Sequence, residues 1–239
     1  GVTTAPEYYT ESFGEGNDLD GYMLTFTPNG GPSFYGMTSE PVPEEGVFLT
    51  DPSDGLVIDF DGIGDPAQAP LWGGKKIAFY GVEYDQLYIS SRGWVSFGGA
   101  GNTPDTLGAH FAEPQLSLFP VDANPEEDAP AGVGSVSYLQ DASKLTITYY
   151  GVPAAANLAS LNDIQLELFF EDGAIRITYL NADPVSRGVV GLSSGAGEND
   201  ERPGDYLASD LVTPMPEPEP EGELEGEGEG VLEGEGATQ

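Results

Sequence analysis

The feature that most constrains the fold is the strict alternation of apolar and polar residues between positions 163 and 180. The first half, DIQLELFF, places Ile164, Leu166 and Leu168 at every second position, and the second half, AIRITYL, repeats the pattern. A two-residue period is that of a β-strand with one buried face, and the EDG between the halves is typical of a tight turn. The segment therefore predicts a β-hairpin with one face in the core and one face in solvent.

The same short alternation recurs along most of the chain. Strand-like segments are separated by Gly, Pro, Asn and Asp, and no segment keeps apolar residues at helical spacing for three turns. Only VPAAANLASLND, residues 152–163, is compatible with a helix, and we interpret it as a loop with one helical turn. Many short strands punctuated by turns indicate a sandwich or a barrel. We expect residues 7–212 to form one all-β domain, a single two-sheet antiparallel β-sandwich of jelly-roll or Greek-key type.

The composition changes sharply at Thr213. From there the chain reads TPMPEPEPEGELEGEGEGVLEGEGATQ, in which Glu alternates first with Pro and then with Gly, without a basic residue. A segment with so little to bury cannot offset its loss of conformational entropy, and its like charges repel. We expect residues 213–239 to be a disordered acidic linker or tail that acts as a spacer rather than as a cation-binding segment.

Charge and composition exclude several functions. With 41 acidic and 7 basic residues, the chain has a formal net charge of −34. It therefore lacks the Lys and Arg surface that nucleic acids and anionic membranes require. The absence of cysteine excludes disulfides, thiolate catalysis and cysteine-ligated zinc. No apolar run approaches the roughly 18 residues that a membrane span needs. This composition suits an exported bacterial protein, and we expect an extracellular monomer.

The most distinctive segment is FYGVEYDQLYISSRGWVSFGG, residues 79–99. It predicts two strands joined by a turn in which Gly93 takes a positive φ, and the alternation around Trp94 places that ring in the core. The segment resembles the F-Y-G-x-x-Y … S-S-N-G-(Y/W)-(I/V)-x-F-G signature of nidogen-like β domains, with Arg92 where Asn is usual. LSLFPVDANPE resembles the acidic loop of that family and GVVGLSSGAG its closing strand. The resemblance spans about residues 75–195 and implies an extracellular β domain without a shared reaction.

Candidate catalytic residues do not combine into a mechanism. GLSSG, residues 191–195, satisfies the G-x-S-x-G motif of α/β-hydrolases with Ser193 as the candidate nucleophile. That chemistry needs a helix after the serine and a histidine later in the chain, whereas SGAGENDERPGD cannot form a helix and the single histidine, His110, lies upstream. Acidic pairs for glycoside hydrolysis are too numerous to single one out. We expect His110 to be structural and the protein not to be an enzyme.

Three acidic segments are candidates for binding calcium, which prefers several carboxylate and carbonyl oxygens on a tight loop. They are NDLDG (17–21), DFDGIGD (59–65) and DANPEED (122–128), although Asx-rich turns are the simpler explanation of such segments. The third is the best candidate because it coincides with the acidic loop of the resembled family. Its candidate ligands are Asp122, Asn124, Glu126 and Asp128, and Ca²⁺ is the one cofactor they suggest.

Trp72, in the loop PLWGGKK, is the candidate ligand-binding residue, since an exposed aromatic ring offers an apolar face to a partner. We expect a non-catalytic extracellular interaction or accessory domain of a larger bacterial secreted or surface protein. Its partner is then an extracellular protein or a polysaccharide. The alternative is a carbohydrate-binding module of a secreted glycan-processing protein.

Overall fold

The computed structural model describes residues 9–13, 17–30, 34–44, 46–60, 65–101, 103–104, 106–118, 134–154, 157–183 and 188–196. Among these residues the regular structure is nearly all strand, with one short helix, α1 (Leu107–Phe111), and one 3₁₀ turn, Pro52–Asp54. The strands, numbered in chain order, are β1 (Thr10–Phe13), β2 (Tyr22–Pro28), β3 (Tyr35–Pro41), β4 (Leu56–Val57), β5 (Pro66–Pro70), β6 (Ile77–Phe79), β7 (Val82–Tyr84), β8 (Gln86–Ser90), β9 (Trp94–Phe97), β10 (Pro114–Ser117), β11 (Ser135–Gln140), β12 (Lys144–Ala154), β13 (Asn157–Phe169), β14 (Ile175–Asn181) and β15 (Gly188–Ser194).

Two large antiparallel sheets pack face to face. The first has the strand order β1-β15-β10-β9-β8-β5, and the second has the order β3-β2-β14-β13-β12-β11-β4. Strands distant in sequence are neighbours, as in the pairs β1–β15 and β2–β14, so the chain crosses repeatedly between the sheets. The inward side chains of both sheets form one apolar core, with Ile89 and Val95 from the first sheet and Ile147 and Leu166 from the second. The predicted all-β, two-sheet antiparallel sandwich is confirmed.

The hairpin predicted at 163–180 is present as β13 and β14, with Leu166 opposite Ile177. Its polar face is not in solvent, however, because Gln165 and Glu167 are fully buried. The segment that joins β3 at one edge of the second sheet to β4 at the other edge crosses this face. Thr50 in that segment donates its N–H to Gln165 Oε1 at 2.9 Å and accepts from Gln165 Nε2 at 2.8 Å. The prediction of a wet face was therefore wrong.

Two further details differ from the sequence prediction. Residues 152–163 contain no helical turn among those described, because β12 extends to Ala154 and β13 begins at Asn157. Asn162 fixes this extension by donating from Nδ2 to the Val152 carbonyl at 3.0 Å. The helix occurs instead at α1, where the Thr106 hydroxyl caps the first turn by accepting the Ala109 N–H at 3.1 Å.

The hairpin of β8 and β9 has the predicted turn. Gly93 has φ 78°, whereas Arg92 does not adopt a positive φ, so arginine is accommodated at position 92 without backbone strain. Trp94 is 2% exposed, as its alternation predicted. The helix α1 lies over the outer side of the first sheet, where it contacts β10 and β15. Both faces of β9 are consequently buried.

The predicted tail, 213–239, lies outside the described residues, and so do both ends of the predicted domain, 7 and 212. In the described part of the chain, no helix is long and apolar enough to cross a membrane.

Candidate functional site

Trp72 presents a half-exposed indole at the side of the sandwich. The residue is 44% exposed, and its ring stacks on Tyr138 of β11 with 5.7 Å between centroids and 24° between planes. The Gln140 side chain holds the Trp72 backbone twice, since Oε1 accepts the Trp72 N–H at 2.9 Å and Nε2 donates to the Trp72 carbonyl at 3.0 Å. The indole is thus fixed in position while its ring stays accessible. The sequence prediction of an exposed Trp72 ring agrees with this geometry.

The local sequence explains how the loop between β5 and β6 holds Trp72. Leu71 packs on the core and donates its N–H to the Asp85 carbonyl at 2.9 Å. Gly73 and Gly74 then take φ angles of 66° and 70°, and the Lys75 N–H reaches the Trp72 carbonyl at 3.3 Å. Two consecutive positive φ angles define a tight turn that residues with a Cβ adopt poorly, so the GG pair allows this loop to be short.

Apolar side chains extend the surface around Trp72. Leu56 lies opposite Tyr138 in the β4–β11 pairing, and Val57 follows it on the edge strand. Both side chains are exposed, at 58% and 69%. Consecutive strand residues point to opposite faces, so Val57 lies on the other face of β4. We call Leu56, Trp72 and Tyr138 the edge surface, because Leu56 is paired with Tyr138 and Tyr138 stacks on Trp72.

An open groove of about 640 Å³, lined by polar and apolar groups in equal measure, has the turn that follows Trp72 in one wall. One wall is formed by residues 74–76 of the Trp72 loop together with Glu83 of β7, and the other by residues 142–143 and 170–171 of the second sheet. Lys75 bridges the walls, because its Nζ donates to the Ala142 carbonyl at 2.6 Å and lies 5.2 Å above the Phe170 ring. The groove and Trp72 therefore share one loop.

The hairpin of β6 and β7 that carries Glu83 is held by a turn at Tyr80 and Gly81. Both residues have positive φ, 47° and 79°, and Tyr80 is an unusual residue for that conformation. Aromatic packing holds it there, with Phe79 and Tyr35 edge-on at 4.9 and 5.0 Å, and its N–H reaches the Tyr35 hydroxyl at 3.2 Å. The strained turn fixes the groove wall on which Glu83 stands.

The charges that line the groove are balanced. Lys75 and Lys76 face Glu83 and Glu171, so the formal charges in the groove sum to zero in a chain of net charge −34. Lys76 Nζ donates to Glu83 Oε2 at 2.7 Å, and this hydrogen bond, together with the Glu83 charge, raises the pKa of Lys76. Both side chains of the pair remain accessible to a ligand.

The candidate catalytic residues are placed elsewhere and serve the fold. His110 is fully buried under α1, with Nε2 3.0 Å from the Thr10 hydroxyl and Nδ1 2.9 Å from the Ser117 hydroxyl. Burial lowers its pKa to about 4, and a backbone hydrogen bond at Leu192 opposes only part of that effect. Ser193 is also buried, and its hydroxyl accepts the Gly195 N–H at 3.1 Å. These contacts make His110 a structural residue, as its isolation in the sequence predicted.

Glu167 is the most strongly enclosed charge among the described residues, and the sequence pattern did not identify it. Its side chain is fully buried between Lys144 and Arg176, and Arg176 Nε lies 2.5 Å from Oε2. Burial alone would raise the pKa of Glu167, but the hydrogen bonds and charges of Arg176 and Lys144 outweigh it and lower the pKa. Both cations also lie over the Phe169 ring. This ion cluster fastens the crossing segment to the second sheet.

The predicted calcium ligands lie outside the described residues. This applies to all four of them, Asp122, Asn124, Glu126 and Asp128. Within the described ranges, no group of three or more His, Cys, Asp or Glu residues is placed to hold a metal ion. The calcium site remains a prediction from the sequence.

No model of a known protein family, no curated protein and no solved structure matches this chain. The resemblance to nidogen-like domains therefore remains a prediction that the motifs carry.

Proposed function

We propose that the protein is a non-catalytic interaction domain of a larger extracellular protein, of the bacterial secreted or surface class, and that it acts as a monomer. The observation that carries this proposal is Trp72, an indole that is 44% exposed and yet held by Tyr138 and Gln140. A fixed, accessible indole is suited to contact a partner, because aromatic anchors held in place contribute most to interfaces.

The geometry reduces the cost of binding. Ordering a side chain at an interface costs about 0.5–1.5 kcal/mol, and a residue that is already fixed avoids most of this cost. The Gln140 hydrogen bonds and the Gly73–Gly74 turn fix Trp72 before a partner arrives. Leu56, which is 58% exposed and paired with Tyr138, adds apolar area on the same edge. The edge surface is therefore the contact region in this proposal.

The second candidate, a carbohydrate-binding module of a glycan-processing protein, is favoured by one observation. The open groove beside Trp72 is lined by hydrogen-bonding groups of both signs, including the Lys76–Glu83 pair. Sugar hydroxyls both donate and accept hydrogen bonds, so such a lining suits them. A polysaccharide partner and a protein partner both fall within the proposed interaction function.

Cosedimentation of the full chain with insoluble bacterial cell envelopes tests the proposal. We expect wild type and Tyr150→Ala to bind equally, since Tyr150 is a half-exposed aromatic residue outside the edge surface, with Phe48 edge-on at 5.8 Å. Trp72→Ala is expected to lose most of the binding. Pretreating the envelopes with protease or with glycan hydrolases identifies the partner class.

Two outcomes would contradict the proposed function. One is envelope binding of Trp72→Ala equal to that of wild type. The other is turnover by the purified chain of ester, peptide or glycoside substrates, at a rate that survives repeated purification.

A further inference from the structure

We propose that the groove and Trp72 together form a binding site for a neutral polysaccharide chain, with one sugar ring stacked on Trp72 and its neighbours in the groove. This inference rests on the interaction function proposed above and adds the class of ligand. Three features carry it: the free face of the indole, the hydrogen-bonding groups of the groove, and the balance of charge.

The indole offers one face to a ligand. Its other face is stacked on Tyr138 at 5.7 Å, which both covers that side and sets the plane of the ring. A pyranose ring has a face of C–H groups that is apolar, and it packs flat on an aromatic ring in the same offset manner as another ring does. A flat, half-exposed and rigid indole therefore fits a sugar ring, which is itself rigid.

The groove supplies hydrogen bonds in the numbers that sugar hydroxyls need. Lys76 uses one of its three donors on Glu83, so further donors remain, and Glu83 keeps a second carboxylate oxygen as an acceptor. Ser143 donates its hydroxyl hydrogen to Asp141 Oδ1 at 2.7 Å, and its oxygen remains able to accept. Hydrogen bonds to charged groups are the stronger ones, so the ion pair is suited to hold two hydroxyls of one ring.

The size and position of the groove suit a chain rather than a single sugar. Its volume of about 640 Å³ lies within the range of about 300–1,000 Å³ that is usual for small-molecule sites. The groove is open, and Lys75 belongs both to its wall and to the turn that carries Trp72. In this proposal a polymer that lies along the groove continues past this turn onto the indole.

Charge selects a neutral polymer. The chain carries −34, so an anionic polysaccharide is repelled as it approaches. Inside the groove, two lysines balance two glutamates, and neither sign is in excess to hold an ion. A protein side chain entering the same space would have to desolvate four charged groups, whereas hydroxyls replace the water that solvates them. The lining favours a neutral glycan over a protein.

The experiment is a titration of the full chain with neutral hexasaccharides that differ in linkage, followed by tryptophan fluorescence and by calorimetry. Cellohexaose, xylohexaose, maltohexaose and chitohexaose are the neutral probes, and hexagalacturonate is the anionic control. Trp94 is 2% exposed, so a change of fluorescence on binding reports Trp72. We expect at least one neutral probe to change the fluorescence and hexagalacturonate to leave it unchanged.

Two variants test the two parts of the site. Trp72→Ala is expected to weaken the binding of that probe by at least about tenfold, through loss of stacking. Glu83→Gln keeps the shape of an exposed side chain and removes its charge, and we expect a loss of about tenfold. Tyr150→Ala is the matched control, and its affinity is expected to equal that of wild type.

The inference is overturned if no neutral hexasaccharide binds, if Trp72→Ala binds as tightly as wild type, or if hexagalacturonate binds more tightly than every neutral probe. Cosedimentation with envelopes separates this failure from failure of the interaction function. If no hexasaccharide binds while envelope binding still requires Trp72 and is lost on protease treatment, the interaction function stands and its partner is a protein.

Discussion

Replacing Glu167 by Gln removes one charge from the centre of the second sheet and leaves the shape of the side chain unchanged. The carboxylate is fully buried, and it is the group that Lys144, Arg176 and the Thr50 hydroxyl all contact. In the variant, two cations keep their positions without a counter-charge. Their mutual repulsion and their lost hydrogen bonds then destabilise the folded chain.

The structure sets the magnitude. Removing one member of a buried ion pair costs about 3–5 kcal/mol. Lys144 and Arg176 keep 17% and 27% of their side chains exposed, so water relieves part of the loss. We therefore expect the lower end, about 3 kcal/mol. For a domain of this size, about 3 kcal/mol corresponds to a fall in melting temperature of roughly 6–12 °C.

Urea denaturation at pH 7 measures the difference, and Glu83→Gln is the matched control. That substitution also breaks a Lys–Glu pair, but the Lys76 and Glu83 side chains are 53% and 63% exposed. Exposed pairs contribute at most about 1 kcal/mol, so this variant is expected to stay close to wild type. If Glu167→Gln and Glu83→Gln had equal free energies of unfolding, the buried ion cluster would not be what holds the segment between β3 and β4 to the second sheet.

The pH dependence gives a second test of the same cluster. The folded pKa of Glu167 is lowered, so its contribution to stability is present above its ordinary pKa of 4.5 and is lost as the pH falls through the lower folded value. The difference in unfolding free energy between wild type and Glu167→Gln is therefore expected to narrow below pH 4.5. A difference that is constant from pH 7 to pH 3 would contradict the ionised state of Glu167.

Three other outcomes are expected. Gly191→Ala should destabilise the chain by about 3 kcal/mol or more in urea denaturation, because Gly191 has φ 146° and the added Cβ would lie 2.2 Å from the Tyr9 carbonyl oxygen. Gly99→Ala is the control and should be neutral in the same assay, since no atom lies within 4 Å of its new Cβ. Because His110 is buried with a pKa of about 4, its contribution to the unfolding free energy should fall by about 3 kcal/mol as the pH drops from 6.5 towards 4. His110→Gln should remove this contribution to the pH dependence of stability. A pH dependence that is unchanged in His110→Gln would contradict a buried, neutral imidazole ring. Deleting residues 213–239 should leave the melting temperature within about a degree of that of the whole chain, and a fall of several degrees in calorimetry would show that the tail packs.

The strands were predictable where the information is local. Alternation around Leu166 and Ile177 identifies a hairpin because the two strands are joined by a short turn and pair with each other. The buried state of Gln165 and Glu167 could not be inferred in this way. Thr50, which covers them, lies 115 residues away from Gln165 in the chain. Polar residues at alternate positions predict a solvent-facing side of a strand, and the local pattern contains no information about a distant segment that covers it.

The candidate site was predictable in one part only. Trp72 lies two residues after Pro70 and directly before two glycines, which indicates an exposed loop, and the exposure of its ring agrees. The groove is built from three regions that are distant in sequence, within residues 74–83, 142–143 and 170–171, so no local pattern marks it. One signal was present: Lys75 and Lys76 are adjacent in a chain with only seven basic residues, and both line the groove.

The central claim is that the chain binds its partner through the side of the sandwich that carries Trp72. Hydrogen–deuterium exchange of the full chain, with and without bacterial envelopes, tests it without assuming the class of partner. We expect new protection of backbone amides at residues 71–76 and 138–143 and unchanged exchange over α1. Protection over α1 and the outer side of the first sheet, with residues 71–76 unchanged, would contradict the account.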